Sequence, residues 1–172
     1  MKKTKNLTFC SIMVALSVVL LFLCSFIEAL DLTAVLLSSV CLFIVDEELF
    51  FKRALSVYLA TGILAFLLLP SKLIAIEYLI FSLYPVLKRQ INKTGRVVSI
   101  ILKAAYIIAA TVADLAIIKI FFPAEIEGDL MYILSAVLSA IWIILYDIAY
   151  SRFARLYHFK LRKQLHIDKF FG

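Results

Sequence analysis

Turn-forming residues and histidine are scarce in this chain, which has four glycines, three prolines and two histidines among 172 residues. Few glycines and prolines argue against a loop-rich domain or a β-sandwich. His158 and His166 both lie near the C-terminus, outside every apolar run, which argues against a zinc protease with histidine ligands in the bilayer. Cys10, Cys24 and Cys41 lie in apolar runs without metal-like spacing and are interpreted as small buried hydrophobes. We expect neither a metal nor a cofactor.

Motifs of known membrane enzymes are missing as well. The sequence has no Walker phosphate-binding loop, no Gly-Asp pair of an aspartyl intramembrane protease and no Ser-Gly motif of a rhomboid protease. Six membrane-spanning helices of roughly 20 residues would use about 120 residues. The remainder is too short for a soluble catalytic or nucleotide-binding domain. We therefore expect no enzymatic activity, and any ATP hydrolysis would require another polypeptide.

Apolar residues, by contrast, make up 65% of the chain, and its mean hydropathy is +1.05. A soluble domain is nearer half apolar. In lipid every backbone polar group must be satisfied internally, which leaves helices or closed barrels. The apolar runs are continuous and rich in Leu, Ile and Ala, whereas a barrel needs short alternating segments. The sequence predicts an all-α, polytopic membrane helical bundle.

Six transmembrane helices are predicted in this bundle. Pro70 and Pro123 end the third and fifth spans, and Pro85 is expected to kink or fray the fourth, because proline removes a helix donor. The first apolar run is too long for a cleaved signal peptide and is expected to remain as a helix. The bundle occupies residues 1–151, and a basic tail follows at 152–172. The spans are about 7–27, 32–45, 54–69, 73–87, 97–122 and 130–151.

The basic residues predict the orientation of these spans. With the N-terminus inside, fifteen of the eighteen Lys and Arg residues lie on the cytoplasmic side, and Lys72 is alone on the outer side. Such asymmetry is the positive-inside pattern. We predict a multi-pass protein of the cell membrane with both termini cytoplasmic, and no binding of nucleic acid. A four-helix arrangement, in which the second and third runs do not span, is the alternative.

The basic tail has two open interpretations. Arg152, Arg155 and Lys160 alternate with aromatic and aliphatic residues, a pattern typical of an interfacial amphipathic helix on anionic lipid. A solvated basic anchor explains the same residues equally well.

Ionisable residues inside the predicted spans form an inner and an outer set. An intramembrane charge costs at least about 2.5 kcal/mol, so each requires a partner or a cavity. The inner set is nearly charge-balanced and predicts structural ion pairs. Lys103 and Asp147 lie at matched depth on sequential helices and are predicted to pair. The inner set comprises Lys103, Asp147, Lys88, Glu48 and Arg53.

The outer set is net acidic and predicts a substrate-binding pocket that opens to the exterior. Such a pocket favours a cationic or amine-bearing small molecule, and its lysine suits a carboxylate. Ordinary solvation of the helix ends is the alternative. The candidate binding residues are Glu28, Glu77, Asp114 and Lys119, with Tyr78 and Tyr132 as walls.

Three segments resemble a family of small Firmicutes six-helix membrane proteins. Residues 58–88 read YLATGILAFLLLPSKLIAIEYLIFSLYPVLK, residues 145–152 read LYDIAYSR before a basic tail, and residues 13–17 read MVALS. The family is similar in form to the substrate-binding S components of energy-coupling factor transporters. The resemblance implies binding of a small molecule from outside, together with a separate transmembrane T component and ATPase subunits. It also implies that the small face of the first helix, Ser11 and Ala15, docks a partner helix.

The sequence therefore favours a membrane solute-binding subunit of a small-molecule uptake transporter, powered by separate ATPase subunits. The lipid bilayer is its expected surrounding. The alternative is a structural or assembly protein of the bacterial cell envelope, in which the buried charges only fix the fold.

Overall fold

The computed structural model describes residues 2–27, 30–93, 95–121, 129–157 and 159. Within these residues the chain is all-α, without a strand, as predicted. The helices are α1 (Lys2–Cys24), α2 (Asp31–Leu49), α3 (Phe51–Leu68), α4 (Lys72–Phe81), α5 (Tyr84–Ile91), α6 (Arg96–Phe121) and α7 (Asp129–Leu156).

The helices belong to two compact units. One unit comprises Asn6–Tyr106, and the other comprises Met1–Lys5 together with Ile107–Gly172. α6 contributes to both units. In the second unit α7 continues to Leu156, so the last predicted span extends as a helix into the beginning of the basic tail.

Three of the described helices are long and apolar enough to span a membrane. The spanning segments are Thr4–Cys24 in α1, Phe51–Leu68 in α3 and Val97–Ile117 in α6. Along α6 almost no side chain is buried, and Ile100 and Ile108 are both more than 60% exposed. In water this much exposed aliphatic surface would be unfavourable, whereas lipid tails are as apolar as the side chains themselves. The exposed surface of α6 is therefore of the kind that faces lipid.

The core of the first unit is formed by α2, α3, α4 and α5, which pack against one another. Its largest fully buried side chains include Leu42, Ile74 and Tyr78. Gly62 allows a close approach of α3 to α4, because a Cβ placed there would lie 2.5 Å from Cδ2 of Leu79. The absent side chain lets the two helices touch, as small residues do in membrane helix packing.

Helix α3 ends where the sequence predicts, just before Pro70. Leu69 is extended, with φ −74° and ψ 139°, because the residue before proline is disfavoured in helical geometry. Lys72 then satisfies carbonyls that the helix end leaves open, and its Nζ donates to the carbonyls of Phe66 at 2.7 Å and Leu69 at 2.9 Å. The single lysine of the predicted outer side therefore has a local structural role.

The predicted fourth span is broken into α4 and α5, which confirms the expected effect of Pro85. Proline has no N–H to donate to the carbonyl four residues earlier, and that residue, Phe81, is the last of α4. Ser82 and Leu83 keep right-handed helical dihedrals, and the Leu87 N–H donates to the Leu83 carbonyl at 3.1 Å. The break is therefore a short helical turn and not a long loop.

Two tyrosines cap the end of α4 at this break. The Tyr58 hydroxyl on α3 donates to the Leu79 carbonyl at 2.5 Å, and the Tyr106 hydroxyl on α6 donates to the Ile80 carbonyl. The last carbonyls of a helix need donors from elsewhere, above all in apolar surroundings. The two hydroxyls supply them from neighbouring helices.

The connection between α2 and α3 is a single residue, Phe50. Its φ of 75° and ψ of 159° lie in a region that side-chain-bearing residues rarely adopt. The Phe50 carbonyl accepts the N–H groups of Arg53 and Ala54, which begins α3. The turn is strained because a single residue has to make the connection.

Candidate functional site

An apolar groove lies between α1 and α3 in the first unit. Its volume is about 440 Å³, and it is walled by apolar and small side chains of both helices. The lining residues are Leu7, Cys10, Ser11, Val14, Ala15, Ser56, Val57, Ala60 and Leu64.

Ser11 and Ala15, the residues predicted to dock a partner helix, both line this groove. The opposite wall was not predicted. It presents Ser56 and Ala60, four residues apart on α3 and therefore on one helix face. The spacing of these small residues is visible in the sequence. Only the structure shows that they share a groove with Ser11 and Ala15 of α1.

The two groove serines are satisfied within their own helices. The Ser11 hydroxyl donates to the Leu7 carbonyl at 3.0 Å, and the Ser56 hydroxyl donates to the Lys52 carbonyl at 3.1 Å. Neither hydroxyl therefore needs a polar partner across the groove. The groove therefore presents apolar and small side chains, which suit close van der Waals contact with a second helix.

A cluster of buried hydroxyl groups lies deeper, where α2, α3 and α4 meet. Tyr78, Thr61 and Ser38 are each fully buried. The Thr61 and Ser38 hydroxyls face the Tyr78 hydroxyl, but none of the three makes a hydrogen bond of normal geometry within the described residues. The Tyr78 ring stacks on Tyr58 with centroids 5.9 Å apart. Tyr78 therefore belongs to the core and does not line an open cavity among the described residues.

The other residues of the predicted outer pocket are not brought together in the described part of the chain. Glu77 is half-buried on α4, and Lys119 is exposed near the end of α6. Glu28 and the side chains of Asp114 and Tyr132 lie outside the described residues. The outer pocket stays a prediction.

An ion-pair cluster joins the ends of α2 and α5, and sequence reasoning missed its central residues. Arg89 Nη1 donates to the backbone carbonyl of Asp46 and lies 3.2 Å from its Oδ2, and Arg89 Nε lies 3.6 Å from Oε2 of Glu47. The Asp46 side chain is 1% exposed. Burial raises the pKa of the Asp46 carboxyl above its usual range, although the hydrogen bond and the charge of Arg89 lower it in part. Burial therefore outweighs the ion pair.

The residues predicted to form inner ion pairs have varied surroundings. Lys88 is buried, and its Nζ lies 5.9 Å from the centroid of the Tyr84 ring, within range of a cation–π interaction. Glu48, Arg53 and Asp147 each take part in at least one polar, ionic or ring contact.

The predicted partners Lys103 and Asp147 belong to different units of the structure. Their pairing stays a prediction.

Among the described residues, no three His, Cys, Asp or Glu side chains are grouped as metal ligands. In comparisons with protein-family models, curated proteins and solved structures, nothing matches this chain.

Proposed function

We propose that the chain is an integral membrane subunit that docks a partner transmembrane helix in the groove between α1 and α3. The observation that carries this proposal is the groove itself, since Ser11 and Ala15 line it and small residues of α3 face them. Within this proposal the six spans are α1, α2, α3, the α4–α5 pair, α6 and α7. Both termini are cytoplasmic, in agreement with the distribution of Lys and Arg.

The position of the groove supports a helix as its occupant. Its walls belong to two helices that can each span a membrane, and the groove runs from near the predicted cytoplasmic end of each helix to just past its midpoint. Small side chains let helix backbones approach closely, which is the main source of helix association where water is absent. A lipid chain in the groove is the other occupant that the test must separate.

We propose further that the docked partner belongs to an uptake transporter and that this chain is its solute-binding subunit. The T component would supply the helix, and separate ATPase subunits would supply the energy. The acidic outer set, with Glu77 half-buried on α4, supports a cationic or amine-bearing solute.

A second candidate, an assembly protein of the cell envelope, is favoured by Tyr78. This side chain was expected to line a solute pocket but is fully buried against Tyr58. An assembly protein needs the same docking groove and no solute site. The two candidates therefore share the groove and differ only in whether a small molecule binds.

The docking test is a pull-down of the tagged full chain from native membranes in mild detergent, with mass-spectrometric identification of its partners. Ala15→Leu and Ala60→Leu fill the groove from opposite walls and should each remove the same transmembrane partner. Ala104→Leu, an exposed position on α6, is the matched control and should retain it. Retention of the partner by both groove variants would refute docking at this site, and a groove that holds lipid would give this result.

The solute test is thermal unfolding of the purified protein with a panel of amines and amino acids. A ligand-dependent rise in Tm that Glu77→Ala or Asp114→Ala abolishes supports the transporter subunit. If a partner is retained but no compound shifts Tm, and no T component or ATPase is among the partners, the assembly role is supported instead.

A further inference from the structure

The C-terminal end of α7 carries a second cleft, which has a different chemistry. It is open, with a volume of about 490 Å³, and among the described residues it is lined by Arg152, Arg155, Leu156 and Phe159. The sequence offsets of three, four and seven residues place these side chains along one face. Two cations and two apolar groups are therefore presented together.

Both apolar members of this face are strongly exposed. Leu156 is 57% exposed and Phe159 is 81% exposed. An exposed aromatic beside arginines is unfavourable in bulk water but typical of the membrane interface, where an apolar side chain reaches the acyl boundary and a cation stays at headgroup level.

The arginines are disposed to bind an anion. Nε of Arg155 donates to the Ser151 carbonyl at 3.5 Å, which orients the guanidinium. Within the part of the chain that the structure describes, no acidic side chain pairs with Arg152 or Arg155. The planar guanidinium matches the oxygens of a phosphate better than an ammonium does.

The sequence around the cleft strengthens this charge preference. Residues 152–172 contain six Lys or Arg and a single acidic residue, Asp168. The anionic cytoplasmic leaflet attracts such a segment, at about 1 kcal/mol per basic residue near the surface. The counter-ion most available to a helix leaving the membrane on that side is a lipid phosphate.

We propose that Arg152 and Arg155 bind the phosphate of an anionic phospholipid of the cytoplasmic leaflet, with its acyl chain against Leu156 and Phe159. This site belongs to the second unit and does not depend on the function proposed for the α1–α3 groove of the first. Of the two interpretations of the tail, this proposal rests on the one in which the tail contacts anionic lipid.

The test measures binding of the detergent-purified full chain to phosphatidylglycerol, by native mass spectrometry and by the rise in Tm. Phosphatidylcholine and inorganic phosphate are the comparison ligands. Phosphatidylglycerol should bind at least about tenfold more tightly than either, because the site uses both a negative headgroup and an acyl chain.

The variant Arg152→Gln/Arg155→Gln should lose this preference, with affinity for phosphatidylglycerol reduced about tenfold or more. The matched control, Lys52→Gln/Lys93→Gln, removes two exposed charges on the same predicted side and should keep it. Phe159→Ser should weaken phosphatidylglycerol binding without changing the response to inorganic phosphate.

Three results would overturn the site. Equal loss in the lysine control would mean that only total charge attracts the lipid. An equal response to inorganic phosphate would mean that a free anion is the ligand. Unchanged binding in the arginine variant would mean that the two guanidiniums serve only to balance the negative end of the α7 dipole.

Discussion

Arg89 on α5 donates to both the backbone carbonyl and the side-chain carboxylate of Asp46, forty-three residues earlier in the chain. This contact ties the end of α2 to the helix that follows the Pro85 break. Oδ1 of Asp46 is buried and accepts no hydrogen bond from the described residues. The carboxylate therefore depends on Arg89 more than an exposed acid would.

Replacement of Arg89 by Met should lower the free energy of unfolding by about 3 kcal/mol, because it leaves a buried carboxylate without its cation. The double variant Arg89→Met/Asp46→Leu should recover part of this loss. The measurement is equilibrium unfolding in mixed detergent micelles. Lys52→Met, at an exposed cation, should change little. Additive effects of the two changes at Arg89 and Asp46 would show that the pair is not coupled.

The raised pKa of Asp46 predicts a pH dependence of stability. Because the folded pKa lies above the unfolded one, the folded state holds its proton at pH values where the unfolded state has lost it. The stability contributed by the Asp46 carboxyl is complete below its unfolded pKa of about 4, and this contribution is lost as pH rises through the folded pKa. Wild type should therefore lose stability relative to Asp46→Asn as pH increases in that window. The comparison requires unfolding curves of both proteins at several pH values. A difference that grows in the opposite direction would contradict the burial argument.

Three Tyr→Phe variants should separate hydroxyls that cap α4 from one that does not. Tyr58→Phe and Tyr106→Phe each leave a carbonyl at the end of α4 without its donor and should destabilise by about 1 to 2 kcal/mol. Tyr78→Phe removes a fully buried hydroxyl that makes no hydrogen bond within the described core. It should be neutral or stabilising, since it removes an unsatisfied polar group. A loss at Tyr78 equal to the other two would mean that its hydroxyl has a partner after all.

The strained turn at Phe50 predicts an unusual stabilising substitution. Phe50→Gly should raise the free energy of unfolding by about 1 kcal/mol, because glycine adopts a positive φ without the steric cost. Phe50 is 78% exposed, so little packing within the chain is lost. Phe51→Gly, one residue later and inside α3, should destabilise instead. Thermal unfolding of both variants provides the measurement.

The sequence predicted the helices well because proline and charge act locally. The ends of α3 and α4 follow directly from Pro70 and Pro85, and the predicted bounds of the described helices differ from the observed ones mainly by a few residues. The largest differences are that α1 begins at Lys2 and α7 continues to Leu156, and that α2 runs on through Asp46 to Leu49. The acidic residues there do not end the helix, because Asp46 is paired with Arg89 of α5.

Which face of each helix would be buried was harder to predict. A helix in lipid is apolar on all sides, so periodicity does not separate the core face from the lipid face. Glu77 and Tyr78 are neighbours on α4, and only packing shows that Tyr78 enters the core. Lys88 and Arg89 are likewise adjacent, yet one lies beside Tyr84 and the other reaches α2. Sequence reasoning therefore selected Lys88 and missed Arg89, the cation that pairs with Asp46.

The capped break between α4 and α5 has a mechanical consequence. A continuous helix resists bending through its backbone hydrogen bonds, and Pro85 cannot donate one of them. The hydroxyls of Tyr58 and Tyr106 donate hydrogen bonds to the carbonyls at the end of α4 and so connect it to α3 and α6. The angle between the two half-helices is thereby coupled to the positions of α3 and α6. A displacement of α3, the helix that forms one wall of the groove, would therefore reach the end of α4 through the single hydrogen bond of Tyr58.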